Sequence, residues 1–129
     1  MAVVNPIEQR RRASIVLASG YRPSSLKDFL QKSVFVSARK TGNDSDYAEA
    51  AVKVLNLIKE SDGLPRERWE DLVKLSGFEQ SSFYNVLFKR LLGLGMVRIS
   101  KNKYYVSSEF STMLEWIDSL WKVFRGDEI

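Results

Sequence analysis

Cysteine and histidine are both absent from this 129-residue sequence. Without them the chain cannot form disulfides, zinc fingers or thiol nucleophiles, and it lacks the usual imidazole general base. Apolar runs are also short, since the longest, around residues 14–18, falls far below the roughly 20 residues of a membrane-spanning helix. We therefore predict a protein without a cofactor, a metal or a membrane span, and we do not expect an enzyme.

A secretory signal is not expected either. The basic run Arg10–Arg12 precedes an apolar stretch at residues 13–18, the order found in a signal peptide. That stretch is shorter than the usual apolar region of about 7–15 residues, and Arg22 and Lys27 follow soon after. The sequence therefore predicts a cytoplasmic protein.

Charge is unevenly distributed along the chain. The formal net charge is +4 and the pI is near 9.4. Residues 1–43 carry +6, residues 44–62 carry −3, residues 63–108 carry +4 and residues 109–129 carry −3. Two basic segments thus alternate with two acidic ones, which favours one surface for a polyanion such as nucleic acid and another surface for a different contact.

The length allows one modest hydrophobic core but is short for two domains. Residues 37–46 are polar, contain Gly42 and have no large apolar side chain, so they are predicted to form a linker. We divide the chain into a basic N-terminal extension with its linker at residues 1–43, a main domain at 44–108 and a C-terminal helix at 109–129.

Two helices are predicted in the N-terminal extension. The first covers residues 7–19 and ends at Gly20. The pair Ser24–Ser25, with Asp28, signals the start of the second. Residues 34–36 lie either at the end of this second helix or in a strand.

Three further helices are predicted in the main domain. The first begins at one of residues 44–46 and ends near Gly63, and Pro65 opens the next. This second helix ends at Ser76 and Gly77, after which the third begins at Gln80 or Ser81.

The hydrophobic period changes at Gly95. Before this glycine, apolar residues recur at three- and four-residue steps, as on one face of a helix; after it come two short runs rich in Val, Ile and Tyr. The pattern predicts a helix that is followed by a hairpin. The apolar residues of the helix are Phe83, Leu87, Leu91 and Leu94.

Three helices followed by a basic hairpin resemble a winged helix-turn-helix DNA-binding domain, over residues 46–108. The most specific part is FYNVLFKRLLGLGMVRIS, followed by KYYVS. It is similar to the family's run in which an apolar helix face ends in Leu-x-x-Leu-Gly-Leu-Val and leads into a wing that ends in Tyr-Tyr-Leu-Ser. The resemblance implies an α+β, mainly α fold with a two-stranded wing, an N-terminal helical extension and a C-terminal amphipathic helix.

The helix before Gly95 also has a polar face. At about 100° per residue, Asn85 lies at its centre, and Ser81, Ser82 and Lys89 lie within about 60° of it. The DNA major groove, about 12 Å wide, admits one helix; Asn can form two hydrogen bonds with adenine, and Lys can bond guanine. We predict Asn85 as the principal base-reading residue, with an ordinary solvated helix face as the alternative.

Two more basic groups are predicted to contact the DNA backbone. Positive charge at the tip of the wing gains affinity by releasing counterions but reads little sequence. Three consecutive arginines would spread over about 200° of a helix, so they suit an arm that grasps the backbone. A polar hairpin tip and a solvated helix face are the alternatives. The predicted contacts are Arg98, Lys101, Asn102 and Lys103 in the wing, and Arg10, Arg11 and Arg12 in the arm.

Phe88 fits this prediction least well. It lies about 60° from the centre of the polar face, which is awkward for a bulky apolar side chain. It either touches a thymine methyl group or is covered by the N-terminal extension.

The C-terminal segment is strongly amphipathic. Its apolar residues lie at near-heptad spacing, so the helix packs either on its own domain or against the same helix of a second subunit. We favour a homodimer, which would present two recognition helices to two half-sites. The predicted interface consists of Phe110, Met113, Leu114, Ile117, Leu120, Trp121 and Phe124.

These features together suggest a small transcription regulator of archaeal, bacterial, plasmid or viral type that binds double-stranded DNA without performing chemistry. The alternative is a winged-helix module for protein–protein interaction in a larger assembly. Exposed Phe88 and Leu92 would favour this alternative, whereas the basic wing disfavours it.

Overall fold

The structure is a computed structural model that describes residues 13–36 and 44–127, without the side chains of residues 44–46. Over this part of the chain the fold is α+β and mainly helical, with one small antiparallel sheet. No helix among the described residues is both long enough and apolar enough to cross a membrane.

The described part of the chain begins with an irregular segment at residues 13–18, which we call the entering segment. Half-buried Ala13 and Ile15 alternate with exposed Ser14 and Val16, and the Val16 N–H donates to the Ser33 carbonyl over 2.8 Å. The helix predicted over residues 7–19 is therefore wrong from residue 13 onward, because packing of alternate side chains on the core holds this segment out of a helix. Residues 7–12 lie outside the described part.

Helix α1 (Leu26–Phe29) begins where Ser25 caps it: the Asp28 N–H donates to Ser25 Oγ over 3.0 Å. A π-helical turn over Leu30–Val34 continues it, closed by a 2.8 Å bond from the Phe35 N–H to the Leu30 carbonyl. The predicted second helix is confirmed, and the alternative of a strand at residues 34–36 is wrong.

Helix α2 (Asp44–Ser61) is the long helix of the core. One side of it is buried, and the chain leaves it through Asp62 and Gly63, both at positive φ. The predicted helix and its end are confirmed. Its buried side chains are Tyr47, Ala48, Ala50, Ala51, Val54, Leu55 and Ile58.

Strand β1 (Leu64–Pro65) was not predicted, since Pro65 was expected to open a helix. Leu64 is fully buried and pairs with Tyr104, and this pairing holds the dipeptide extended. A 3₁₀ turn (Arg66–Arg68) then leads into helix α3 (Trp69–Ser76). Helix α3 ends at Gly77, whose φ of 78° is accessible to glycine at little cost.

Helix α4 occupies residues 80–93 in three parts: α-helical Gln80–Ser82, a π-helical turn at Phe83–Phe88 and α-helical Lys89–Gly93. It ends in a Schellman motif at Gly95, in which the Met96 N–H donates to the Leu91 carbonyl and the Gly95 N–H to the Leu92 carbonyl. The predicted change from helix to hairpin at Gly95 is confirmed.

Strands β2 (Val97–Ser100) and β3 (Lys103–Val106) form the predicted hairpin. Lys101 and Asn102 have φ of 50° and 62°, and a two-residue type I′ turn requires positive φ at both positions. The sheet order is β1-β3-β2, so the sheet has three strands rather than two.

Helix α5 (Glu109–Arg125) follows after two residues and ends at Gly126, with φ of 86°. The C-terminal helix is confirmed. None of its side chains is fully buried. The core instead lies between α1, α2, α3, α4 and the sheet, and it includes Leu30, Val34 and Phe35 from the segment before residue 43.

Candidate nucleic-acid interface

The exposed side of α4 carries the polar residues that the sequence singled out. Ser81, Asn85 and Lys89 are exposed and Ser82 is half-buried. The apolar residues predicted for the opposite side are all buried, at 4% exposure or less: Phe83, Leu87, Leu91 and Leu94. The division of this helix into an apolar and a polar side is therefore confirmed.

Phe88 is not part of the polar side. Only 2% of its surface is exposed, and its ring lies 5.2 Å from that of Phe83 and 5.1 Å from that of Tyr104, centroid to centroid. The prediction of an exposed Phe88 is wrong because the turn is π-helical: the Lys89 N–H donates to the Tyr84 carbonyl, five residues back. A wider turn advances less per residue, which rotates Phe88 into the core.

Asn85 and Lys89 line a cleft of about 340 Å³ between α4 and the sheet. Its other walls include Arg66, Ile99 and Tyr104. Arg66 thus joins two predicted contact residues in one concave surface. Arg66 has no local sequence signal, because its position depends on strand β1, where the sequence predicts the start of a helix.

The same two residues line a second cleft of about 220 Å³ on the other side of α4. There the opposite wall is formed by the entering segment, at Ala13, Ser14 and Val16. Asn85 and Lys89 therefore form a ridge with a cleft on each side. The predicted arm, Arg10–Arg12, lies outside the described residues, although it directly precedes Ala13 in the chain.

The hairpin tip is attached to the edge of the first cleft. The Arg66 N–H donates to the Asn102 carbonyl over 3.0 Å, and Lys103 pairs with Pro65 across the sheet. Lys101, Asn102 and Lys103 are all exposed. The structure thus brings the predicted wing residues beside Arg66, with their side chains accessible.

Arg98 lies elsewhere. Residues along a strand point alternately to the two sides of a sheet, and Arg98 is opposite Tyr105, whereas Ile99 and Tyr104 face α4. Its guanidinium lies 4.6 Å from the centroid of the Tyr105 ring. By the same alternation Lys103, which is opposite Ser100, points to the side of Arg98, so neither of these two side chains faces the clefts around α4.

The electrostatic character of this surface is basic. Among the described residues, no carboxylate forms an ion pair with Arg66, Lys89, Lys101 or Lys103. Beside the cleft, the pKa of Tyr84 is raised above its ordinary value, chiefly by burial, with a contribution from Tyr104 that Arg66 opposes. Tyr84 therefore stays a neutral phenol at physiological pH. Anions would meet unpaired cations and neutral hydrogen-bonding groups here.

The residues predicted for a dimer interface divide into two groups along α5. Phe110 is half-buried, with its ring 6.1 Å from that of Phe29, and the Met113 side chain reaches the backbone at Gly95. These two residues contact their own domain. The other five are from 45% to 78% exposed: Leu114, Ile117, Leu120, Trp121 and Phe124.

Fold and surface together describe a small, mainly helical α+β protein with exposed basic residues on α4, on the turn after β1 and at the hairpin tip. Residues 32–125 match the model of a family described as an archaeal family. The match covers well over half of the chain, from the turn after α1 to the end of α5, so this protein belongs to that archaeal family. Searches among curated proteins and among solved structures gave no match.

Proposed function

We propose that this protein is a winged helix-turn-helix protein that binds duplex DNA and regulates transcription. In this assignment α3 and α4 form the helix-turn-helix, α4 lies in the major groove, and the β2–β3 hairpin is the wing. The order of helices and hairpin, and the three-residue connection between α3 and α4, support the assignment.

The observation that carries the proposal is the ridge of Asn85 and Lys89 with cations on one flank. The side-chain amide of Asn85 can donate one hydrogen bond to an adenine edge and accept another from it. Lys89 can donate to guanine or to a phosphate. Lys101 and Lys103 at the wing tip would contact the flanking backbone or minor groove, and Arg66 joins them there. A polyanion that follows α4 would meet positive charge along this flank.

Binding to a labelled duplex, measured by fluorescence anisotropy at several salt concentrations, tests this function. The double variant Lys101→Ala with Lys103→Ala should weaken binding to all sequences alike and reduce the slope of log K against log salt by about 2, since each phosphate contact contributes about 0.9. Asn85→Ala should cost about 1–3 kcal/mol on a selected site and relax base preference at one position.

The matched control is Lys53→Ala with Lys59→Ala, which removes the same charge from exposed positions of α2. It should change the salt slope by less than the wing variant. If the wing variant keeps the parent's affinity at every salt concentration, the docking mode is wrong. Selection from a random duplex pool would give the site, and a chain that retains no duplex at low salt does not bind DNA.

We also propose that the protein acts as a homodimer through α5 and works in the cytoplasm, where a transcription regulator meets its DNA. Exposed apolar side chains on α4 would favour the alternative of a protein-interaction module. Phe88 is buried and Leu92 is half-buried, so the described surface gives that alternative less support than the basic hairpin gives DNA binding.

A further inference from the structure

Helix α5 carries a large uncovered apolar surface beyond its first turn. From Met113 to Phe124, eight large apolar side chains are from 38% to 78% exposed. Six of them lie within about 60° of Ile117 around the helix, and Trp116 and Val123 flank this stripe on one side. Since a whole aromatic side chain offers about 150–250 Å², this surface amounts to something on the order of 800 Å² per helix. A soluble monomer rarely exposes a contiguous patch of this size.

We infer that α5 pairs in antiparallel orientation with α5 of a second copy of this chain, an inference that rests on the dimer proposed above. About 800 Å² per partner is the size of a standard stable interface. A lipid surface fits less well, because a helix that lies on a membrane is rich in Lys and Arg, whereas α5 has three acidic and two basic residues. In a two-fold dimer the same surface of each subunit covers the other, so the apolar side of α5 can be buried without a second kind of protein.

The direction of the pairing follows from the position of the rest of the domain relative to α5. We call the described residues before α5 the body of the protein. Phe110, Ile117 and Phe124 are seven residues apart and lie near one line of the helix, with Met113 and Leu120 beside it. Phe110 and Met113 contact their own domain, so the body occupies the same side of α5 that carries the uncovered surface, at its N-terminal end.

A parallel pair would bring two bodies to the same end and the same side. Paired helix axes lie about 8–10 Å apart, whereas a body of about 100 residues has a radius of gyration of about 13 Å. The two bodies would overlap. An antiparallel pair places them at opposite ends, so each uncovered stripe faces the other along its length.

An apolar groove at the base of α5 fits the end of the partner's helix. It has a volume of about 240 Å³ and is lined by Phe110 together with Leu26 and Val106, which are 47% and 45% exposed. In an antiparallel coil with Ile117 against Leu120 of the partner subunit, Met113 faces Phe124 of the partner subunit. Phe124 of the partner subunit then lies within about one helical turn of Phe110, beside this groove.

Charge and spacing agree with this arrangement. In this register Glu115 lies opposite Lys122 of the partner subunit, and Lys122 also pairs with Asp118 of its own helix over 2.8 Å. At 1.5 Å per residue, this register separates the two copies of Glu109 by about 30 Å. The two domains, which precede Glu109 in their chains, therefore lie at opposite ends of the pair.

Cysteine cross-linking tests the orientation, because the natural chain has no cysteine to interfere. A disulfide requires Cα atoms within about 7 Å of each other. Co-expressed Met113→Cys and Phe124→Cys chains should form a disulfide-linked heterodimer on mild oxidation, and each variant alone should give almost none. Efficient linking of Phe124→Cys to itself would show a parallel pair and overturn the inference.

Sedimentation of the full chain gives an independent readout. A dimer is expected, and Leu120→Glu should convert it to a monomer whose helical circular dichroism is otherwise retained. If the wild-type chain is monomeric and floats with phosphatidylcholine–phosphatidylserine vesicles, the surface binds lipid instead, and the inference fails. Failure here leaves the anisotropy results for Asn85 and the wing unaffected, so the two proposals are tested separately.

Discussion

Phe88 lies at the centre of a cluster of aromatic rings beneath the proposed DNA-binding surface. Besides Phe83 and Tyr104, it meets the Tyr84 ring edge-on at 6.3 Å. It thereby joins α4 to β3 and holds the angle between α4 and the β2–β3 hairpin. Side chains on the two elements can contact one ligand only while this angle is kept.

Replacing this ring tests its burial. Phe88→Ala should lower the free energy of unfolding by about 3–5 kcal/mol, because a fully buried aromatic side chain leaves a cavity. Lys89→Ala, at the next and exposed position, is the control and should stay within about 0.5 kcal/mol of the parent. Urea unfolding followed by circular dichroism measures both. A loss at position 88 as small as the control's would mean that the ring is exposed, as on a regular α-helix.

At the scale of the element, a hydrogen-bonded pair attaches the segment after residue 20 to α1. The Tyr21 hydroxyl donates to Asp28 Oδ2 over 2.5 Å, and the Ser24 N–H donates to the same oxygen over 3.0 Å. The pKa of Asp28 is lowered from 3.8 to about 2. The hydrogen bond from Tyr21 contributes most to this shift, that from Ser24 contributes less, and Lys32 makes a smaller contribution. Burial, together with Asp28, raises the pKa of Tyr21 to about 12.

Tyr21→Phe should therefore raise the pKa of Asp28 toward its ordinary value, as an NMR titration of the side-chain carboxyl would show. Since the folded pKa of Asp28 lies below the unfolded one, the pair stabilises the fold above pH 3.8, and this contribution is lost as the pH falls toward about 2. The melting temperatures of parent and variant should accordingly differ at pH 7 and converge in acid.

Lys32→Ala is the matched variant for this pair, because it removes the 3.2 Å ion pair with Asp28 and the cation above the Tyr21 ring while keeping the phenol hydrogen bond. Its shift in the pKa of Asp28 should be smaller than that of Tyr21→Phe. Equal shifts in the two variants would mean that charge, not the phenol hydrogen bond, controls Asp28.

Considered as a whole molecule, the protein has a body whose core does not depend on most of α5. No side chain beyond Met113 in α5 is buried, so the core of the described residues is complete without that part. A chain that ends at Met113 should unfold as cooperatively as the parent, lose only the helical circular dichroism of residues 114–125, and sediment as a monomer under conditions where the full chain is a dimer. If the truncated chain still sediments as a dimer, the dimer interface lies elsewhere in the protein.

Much of this architecture could be predicted from local pattern. Helices α1, α2, α4 and α5, the end of α3 and the hairpin follow from periodicity and from capping or turn residues close in sequence, such as Ser25, Gly77 and Gly95. The buried and exposed sides of α4 followed from the same spacing. DNA binding, the dimer and the cytoplasmic location remain proposals, since fold alone does not establish function.

Most helices and the hairpin can be located from the amino-acid sequence, because hydrophobic period and turn chemistry act within a few residues. Other features depend on residues that are distant in sequence. Leu64 and Pro65 form a strand because Tyr104 and Lys103 lie alongside, and that pairing places Arg66 at the cleft. Residues 13–18 stay irregular because they pack on the core, and a π-helical turn buries Phe88 against Tyr104. Pairings between residues this far apart in sequence leave no local signal from which to predict them.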